Sequence, residues 1–236
     1  MIAREAFDQM MRSIGIETEG QDYLLFERYC EELKEWNEKM NLTAIVDDEG
    51  IAVKHFADSL LPLTLFDLPE KCSLIDVGTG AGFPSIPMKL LRRDVNLTLL
   101  DSLEKRLGFL RHLCGRLGID AATVHARAED AGKNPLYREK YDVATARAVA
   151  GLNLLAEYCL PLVKVGGVVL ALKGSNGREE AELAKNAVAL CGGTIEAVLD
   201  YKLPNSDPRT LVILRKKSAT PPKYPRNSAQ SSKNPL

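Results

Sequence analysis

The chain has 236 residues, of which 45% are hydrophobic and 27% charged, values that suit one globular α/β domain with a small extension. No apolar run approaches the ~20 residues that a membrane span requires, and the first ten residues lack the apolar segment of a signal peptide. The five cysteines are dispersed without a Cys-x-x-Cys pair, which argues against a disulfide framework or a zinc site. We therefore expect a cytoplasmic protein with no membrane segment and no metal site.

The net charge of −1 is unevenly distributed along the chain. Six Lys and Arg and no Asp or Glu follow residue 214, which leaves a net charge of −7 on residues 1–214. Pro, Ser, Asn and Lys dominate residues 218–236, so we predict a disordered basic tail there. Such a tail could bind phosphate groups, or it could serve only solubility.

The N-terminal quarter of the chain has the pattern of helices. Apolar residues recur every three or four positions over 21–40, which predicts an amphipathic helix after a shorter helix at 2–13. Asp47 can cap a further helical segment. Residues 1–66 are therefore predicted to form a helical extension beside a sheet.

From residue 67 to 217 the pattern alternates between strands and helices, which predicts parallel βαβ units. The last two predicted strands are joined by residues 203–209, too few for a crossover helix, so they should pair antiparallel. A seven-stranded, mostly parallel sheet with an antiparallel C-terminal strand resembles the Rossmann-like fold of class I methyltransferases that use S-adenosyl-L-methionine (SAM). Strands are predicted at 73–77, 95–100, 122–125, 141–145, 166–172, 194–202 and 210–215, and helices at 84–92, 103–117, 151–161 and 177–191.

A glycine loop follows the first predicted strand in the stretch Asp76-Val77-Gly78-Thr79-Gly80-Ala81-Gly82-Phe83-Pro84. Glycines allow a tight turn and a close approach of the backbone to a ligand. The spacing is Gly-x-Gly-x-Gly instead of the Gly-x-Gly-x-x-Gly of dinucleotide sites. With Asp76 directly before it, the loop resembles that of SAM-dependent methyltransferases, where Asp76 would hold the amino end of the methionine moiety; otherwise it is a turn residue.

The other candidate side chains stand where predicted strands end, which is where open α/β sheets bind ligands. Asp101 lies about 20 residues beyond the glycine loop, where a carboxylate can accept hydrogen bonds from ribose hydroxyls, although it could also cap the next helix. Ala128 and Glu129 are placed to hold an adenine edge, or else begin a helix. Arg147 could bind the SAM carboxylate or RNA, and Lys173 is either a second cation on that rim or a solvated lysine.

Motifs of some other methyltransferase classes are missing from the sequence. The stretch after the fourth strand does not contain the Asn/Asp-Pro-Pro-aromatic loop that enzymes acting on exocyclic amines require. Cys159 falls within a predicted helix, which disfavours it as the nucleophile of a cytosine C5 enzyme. The three histidines have no metal-ligand spacing and are predicted to be structural.

Together these motifs resemble the family of ribosomal RNA small-subunit methyltransferase G, also called glucose-inhibited division protein B. The resemblance extends over nearly the whole chain from Trp36, with its motifs in the right order. The matching stretches are Asn41-Leu42-Thr43, His55-Phe56-Ala57-Asp58-Ser59, Asp76 to Pro84, Leu100 to Arg106, Arg127-Ala128-Glu129, Ala146-Arg147-Ala148, Ala171-Leu172-Lys173-Gly174 and Arg209 to Ile213.

The resemblance implies transfer of the SAM methyl group to guanine N7 in the decoding-region hairpin of small-subunit ribosomal RNA. It implies SAM contacts at Gly78, Phe83, Ala128, Glu129 and Arg147, with Phe83 as an apolar wall and Arg147 as a positioning residue. The residues themselves add Asp76, Gly80 and Asp101. Alternatives are methylation of a small metabolite and a non-enzymatic SAM-binding module. The expected partner is small-subunit ribosomal RNA or the small ribosomal subunit, and the expected state is a monomer.

Overall fold

A seven-stranded sheet lies at the centre of the computed structural model, which describes residues 1–236 apart from the side chain of Ser232. The strands are β1 (Ser73–Val77), β2 (Asn96–Asp101), β3 (Ala121–His125), β4 (Tyr141–Arg147), β5 (Val163–Lys173), β6 (Gly193–Lys202) and β7 (Pro208–Lys216). Their order in the sheet is β3-β2-β1-β4-β5-β7-β6. Strands β1 to β5 pair in parallel, whereas β7 is antiparallel to both β5 and β6.

This topology confirms the predicted fold class. The strand order reverses between β1 and β4, and at that point the loops after the two strands leave the sheet in opposite directions. Such a reversal leaves a crevice at the carboxyl ends of the strands. The loops that follow β1 and β4 carry the glycine motif and Arg147 into this crevice.

Helices cover both faces of the sheet. They are α1 (Arg4–Ser13), α2 (Gly20–Met40), α3 (Asp48–Gly50), a π-helix (Ile51–Ala57), α4 (Asp58–Leu60), α5 (Pro62–Leu65), α6 (Ser85–Leu91), α7 (Glu104–Leu117), α8 (Ala128–Ala131), α9 (Leu152–Cys159), a 3-10 turn (Leu160–Leu162), α10 (Gly177–Leu190) and α11 (Ser228–Lys233). None of the described helices is both long and apolar enough to cross a membrane.

The N-terminal helices share one hydrophobic core with the sheet. Alternate strand residues point to opposite faces, so Leu74 packs into the cluster that contains Phe7 and Phe26, whereas Ile75 packs with Leu155 of α9. A sheet must bury each apolar face against another layer, and on this side the N-terminal helices do so together with α6 and α7.

The π-helix Ile51–Ala57 is the one irregular turn next to the crevice that sequence periodicity did not predict. The short helix α3 directly before it is capped by Asp47, whose carboxylate accepts the Gly50 amide at 2.6 Å. The π-helix buries His55 and leads directly to the buried Asp58. Wide turns of this kind often occur at functional sites.

The prediction of a disordered tail is wrong for the first half of residues 218–236. Tyr224 is buried among residues that face α9, and Arg226 pairs with Glu157 of that helix at 2.8 Å. Composition indicated disorder because the segment has few apolar residues. It is held instead by hydrogen bonds to buried groups of the core, which composition does not report.

Candidate functional site

The glycine loop between β1 and α6 approaches the loop after β4 closely. Gly78 has a φ of +69°, a backbone conformation that side chains rarely adopt, and a Cβ there would lie 2.8 Å from a methyl carbon of Val149. The Gly78 amide donates to the Leu100 carbonyl at 2.8 Å, which ties the loop to the end of β2. This position therefore requires glycine for conformation and for space.

A cleft of about 300 Å³ opens beside this loop, and we call it the glycine-loop cleft. The ends of β1, β2 and β3, the start of α8, and Val149 and Tyr158 from the other side form its walls. Four of the predicted site residues line it: Gly78, Asp101, Ala128 and Glu129.

Asp101 closes β2 and connects three elements around the cleft. One carboxylate oxygen accepts the Gly80 amide at 3.0 Å, and the other accepts the Leu103 amide at 2.9 Å. The Arg106 guanidinium lies 3.6 Å away. Asp101 therefore orders the loop and caps the region before α7, and lone pairs remain on both oxygens for a ligand.

Glu129 is 6% exposed and lines the cleft. The amides of Ala128 and Glu129 lie in the first turn of α8, where backbone N–H groups have no partner within a helix. An ionised carboxylate accepts hydrogen bonds at both of its oxygens. This arrangement, with the tight approach at Gly78, fits a ligand that carries N–H groups and lies along the cleft.

Asp76 lies beneath the loop instead of lining the cleft. It is fully buried and accepts the Ser85 hydroxyl at 2.6 Å, with the Thr145 hydroxyl at 3.4 Å. Burial raises the pKa of Asp76 to about 6, against which the hydroxyl hydrogen bonds act. Contact between its carboxylate and a ligand in the cleft would need movement of the loop, so its structural role here is to join β1, α6 and β4.

Phe83 also faces away from the glycine-loop cleft. Its ring stacks with the His55 ring at 4.4 Å between centroids and with Tyr29 at 5.2 Å. The Arg147 guanidinium carbon lies 5.0 Å from the Phe83 centroid, within range of a cation–π interaction. Phe83 thus links the glycine loop to the N-terminal helices and to Arg147.

Arg147 ends β4 and is held by three acceptors from the helical extension. Its Nη1 donates to the Lys54 carbonyl and to the Asp58 carboxylate, both at 3.0 Å, and its Nη2 lies 3.2 Å from Nδ1 of His55. Arginine has five N–H donors, so Nε–H and one Nη2–H remain without an acceptor among the described residues. Two donors suffice for a forked interaction with a carboxylate or phosphate.

His55 is neutral in this setting. Burial and the charge of Arg147 lower the pKa of His55 to about 3. Because Arg147 donates to Nδ1, the ring proton is assigned to Nε2, which lies 2.8 Å from the Thr43 hydroxyl. His55 therefore positions Arg147, and its Nδ1 lone pair is already engaged.

A second cavity, of about 470 Å³, lies on the far side of Arg147, and we call it the Arg147 cavity. Asp58 lines it and accepts a hydrogen bond from Nε of Arg209 at 3.1 Å, in addition to the one from Arg147. Lys173 is buried in the wall, where it donates to the Ala150 carbonyl and pairs with Glu180, both at 2.7 Å. Lys173 is therefore not a solvated lysine.

The two cavities meet at Ala148, which lines both of them. Ala148 has a φ of +55°, in the left-handed region that costs a non-glycine residue roughly 1–2 kcal/mol. A strained residue thus forms the partition between the glycine-loop cleft and the Arg147 cavity.

Apart from Arg147 and Lys173, the charged and histidine side chains of the Arg147 cavity were not predicted as site residues: Lys54, His55, Asp58, Glu180 and Arg209. His55 was predicted to have a structural role only. The available signal was an acidic residue at position 58 within an otherwise apolar helical stretch, because a carboxylate there must be paired when the helix is buried.

The likeness to solved structures extends to the fold. TrmN from Thermus thermophilus matches 67% of this chain and 48% of its own at 21% identity with a TM-score of 0.52, so the match spans about half the length of that protein. The pyocyanin biosynthetic protein PhzM matches 70% of this chain and 56% of its own at 18% identity with a TM-score of 0.53.

Similarity to curated proteins is much stronger and covers nearly the whole chain. Ribosomal RNA small subunit methyltransferase G of Acetivibrio thermocellus is 51% identical over 94% of this chain and 92% of its own. The protein of the same name from Geobacillus thermodenitrificans is 47% identical over 98% of both chains. The family model described as GidB, rRNA small subunit methyltransferase G, matches residues 22–207. The chain therefore belongs to the GidB family of rRNA small subunit methyltransferase G.

Proposed function

We propose that this chain transfers a methyl group from SAM to N7 of a guanosine in the decoding-region hairpin of small-subunit ribosomal RNA. Membership of the GidB family supports a ribosomal RNA methyltransferase. The observation that carries the proposal is the junction at Ala148. There a cleft suited to a nucleoside meets a cavity lined by Arg147, whose guanidinium can donate two parallel hydrogen bonds. Donor and acceptor bound in these two spaces would face each other at the junction.

The glycine-loop cleft is the proposed SAM site. SAM, when bound, supplies a methyl group on a cationic sulfur that a lone pair can attack. Glu129 and the Ala128 amide would hold the adenine edge, since both residues line the cleft in the first turn of α8. Asp101 would accept the ribose hydroxyls with the lone pairs that its two amide bonds leave free.

Arg147 is the proposed positioning residue between the two spaces. Its two remaining donors can fork onto the carboxylate of the methionine moiety or onto an RNA phosphate. Asp58, His55 and the Lys54 carbonyl hold the guanidinium in place, so little side-chain freedom is lost when the ligand binds. Phe83 would act through its contact with Arg147 and not as a wall of the cleft.

Neither His55 nor Asp58, which hold Arg147 in this cavity, is in a state suited to removing a proton. His55 has a pKa of about 3 and its Nδ1 accepts from Arg147, while Asp58 is occupied by two arginines. Guanine N7 carries a lone pair and no proton, so its methylation requires alignment instead of a base. The ring becomes cationic, and the carboxylates of Asp58 and Glu180 lie in the cavity that would receive it.

A single chain forms both spaces, so we propose that it acts as a monomer on the small ribosomal subunit or its RNA in the cytoplasm. The test is incubation with methyl-labelled SAM and small subunits from a strain deleted for this gene, with naked ribosomal RNA in parallel. Modified guanine is then mapped by borohydride–aniline cleavage.

The proposal predicts one new cleavage in the decoding-region hairpin, together with label in the RNA. Label without cleavage would retain an RNA methyltransferase but exclude N7. Absence of label in RNA, with SAM binding intact, would favour methylation of a small metabolite.

A further inference from the structure

The C-terminal segment 220–226, which we call the C-terminal strap, is bound to α9 through a buried ion pair. Glu157 has a side chain that is 1% exposed, and Arg226 donates to it from Nε at 2.9 Å and from Nη2 at 2.8 Å. The Arg226 backbone amide adds a third hydrogen bond at 2.6 Å. Two parallel hydrogen bonds from one guanidinium neutralise the buried carboxylate and also fix its position relative to Arg226.

A second set of hydrogen bonds binds the C-terminal strap to the segment after α8. Arg138 donates from Nη1 to the carbonyls of Gly132 and Tyr224, at 2.7 and 2.9 Å, and from Nη2 to the Thr220 carbonyl. The fully buried Lys216 donates to the Thr220 hydroxyl at 2.6 Å. These donors satisfy backbone carbonyls that would otherwise be left unpaired in a partly buried segment.

Contact between the strap and α8 is tight at Gly132, the residue that follows this helix. A Cβ at Gly132 would lie 2.9 Å from Cγ of Pro225, closer than such atoms approach in proteins. Tyr224 is buried in the same cluster as Ala131 of α8 and Tyr158 of α9. Both helices therefore have the strap packed behind them.

The opposite sides of these two elements form one end of the glycine-loop cleft. Ala128 and Glu129 begin α8, and Tyr158 follows Glu157 directly in α9; all three residues line the cleft. α8 has only four residues and cannot hold its own position by helix formation, because short helices depend on tertiary packing.

We propose that the C-terminal strap is a positioning device for SAM binding, in which Arg226 and Glu157 fix α8 and α9 at the adenine end of the cleft. The inference rests on the proposed SAM site. It assigns Arg226 to the support of the cofactor site and not to RNA phosphate, because Arg226 already has its partner within the protein, as does the neighbouring Lys216.

The test compares Arg226→Ala with Lys223→Ala in the full chain. Lys223 is an exposed cation in the same segment, near the Tyr224 ring at 5.1 Å, so its removal changes tail charge equally without breaking the pair. The affinity for SAM is measured by calorimetry, below the Tm of every variant, and the KM for ribosomal RNA is measured separately.

Arg226→Ala is expected to raise the Kd for SAM roughly 3- to 30-fold, the range of couplings that act through packed elements, and Lys223→Ala is expected to leave it unchanged. Gly132→Ala displaces Pro225 without removing a charge and is expected to raise the same Kd by a smaller factor. Arg226→Lys, which keeps the charge but loses the fork, should fall between wild type and Arg226→Ala.

Equal SAM affinities in wild type, Arg226→Ala and Gly132→Ala would overturn the strap proposal. A raised RNA KM in Arg226→Ala with unchanged SAM affinity would also overturn it, in favour of an RNA-binding tail. Failure of the wild-type chain itself to bind SAM would contradict the proposed function, which separates the two proposals.

Discussion

The glycine-loop cleft and the Arg147 cavity are adjacent, but the chain builds them differently. The cleft is formed by the turns that follow β1, β2 and β3, and its key hydrogen bond joins Asp101 to Gly80, 21 residues away. The Arg147 cavity is held by Asp58, which pairs with arginines 89 and 151 residues away in sequence. The cleft is thus a property of the sheet, whereas the cavity exists only because the helical extension docks on it.

The largest expected effect is on Arg147, which stands between the two spaces. Arg147→Ala should lower kcat/KM for ribosomal subunits roughly 100- to 1000-fold, the cost of losing a fixed donor at a reacting centre. Arg147→Lys should recover only a part of this, because an ammonium cannot fork. Unchanged turnover in Arg147→Ala would remove this residue from the site.

A stability effect is expected at Asp76, beneath the glycine loop. Burial raises its folded-state pKa from 3.8 to about 6, so the folded state binds this proton more tightly than the unfolded state. The contribution of Asp76 to the free energy of unfolding should therefore be largest at low pH. It should fall by roughly 3 kcal/mol in total as pH rises from below 3.8 to above 6, since one pK unit corresponds to about 1.4 kcal/mol.

Asp76→Asn lacks this titration while keeping an acceptor for Ser85. Urea unfolding of both proteins across this pH range measures the difference. A wild-type-minus-variant difference that stays constant from pH 4 to pH 6 would show that the Asp76 pKa is not raised.

Asp101 tests the cleft alone. Asp101→Ala is expected to weaken SAM binding by ~1–3 kcal/mol through lost hydrogen bonds to a charged group, including those that order the loop. Asp120 is an exposed acid directly before β3 and does not line the cleft, so Asp120→Ala is the control for charge and should bind SAM as wild type does. Equal calorimetric affinities for Asp101→Ala and wild type would contradict the proposed ribose contact.

The smallest effect is expected from protonation of His55. Because its pKa is lowered to about 3, the single-turnover rate should show no inflection from this residue between pH 5 and 8. His55→Gln distinguishes it from other groups. An inflection near pH 6.5 that disappears in His55→Gln would mean that this histidine titrates during the reaction.

Sequence patterns predicted the sheet well because each strand and helix has its own hydrophobic period. The seven strands and the antiparallel β7 were all expected. β5 begins at Val163 instead of 166, and one of the three added residues, Lys164, is charged. Periodicity did not predict the π-helix Ile51–Ala57, since a seven-residue wide turn has no distinct apolar spacing.

The candidate site was predictable where a residue lies in the first turn after a strand. Gly78, Asp101, Ala128 and Glu129 were placed at the cleft by that rule, and the structure brings them together there. The directions of Asp76 and Phe83 were not predictable, because they depend on α6 and on aromatic rings of the extension. Likewise, the pairing of Asp58 with Arg147 requires a contact between distant parts of the chain.

The central claim is that the glycine-loop cleft binds the methyl donor and the Arg147 cavity receives the acceptor. A crystal structure of the full chain with S-adenosylhomocysteine tests it most directly. The account predicts the adenine beside Ala128 and Glu129, the ribose at Asp101, and the amino acid end directed toward Arg147. Adenine density in the Arg147 cavity, between Lys173 and Arg209, would contradict it.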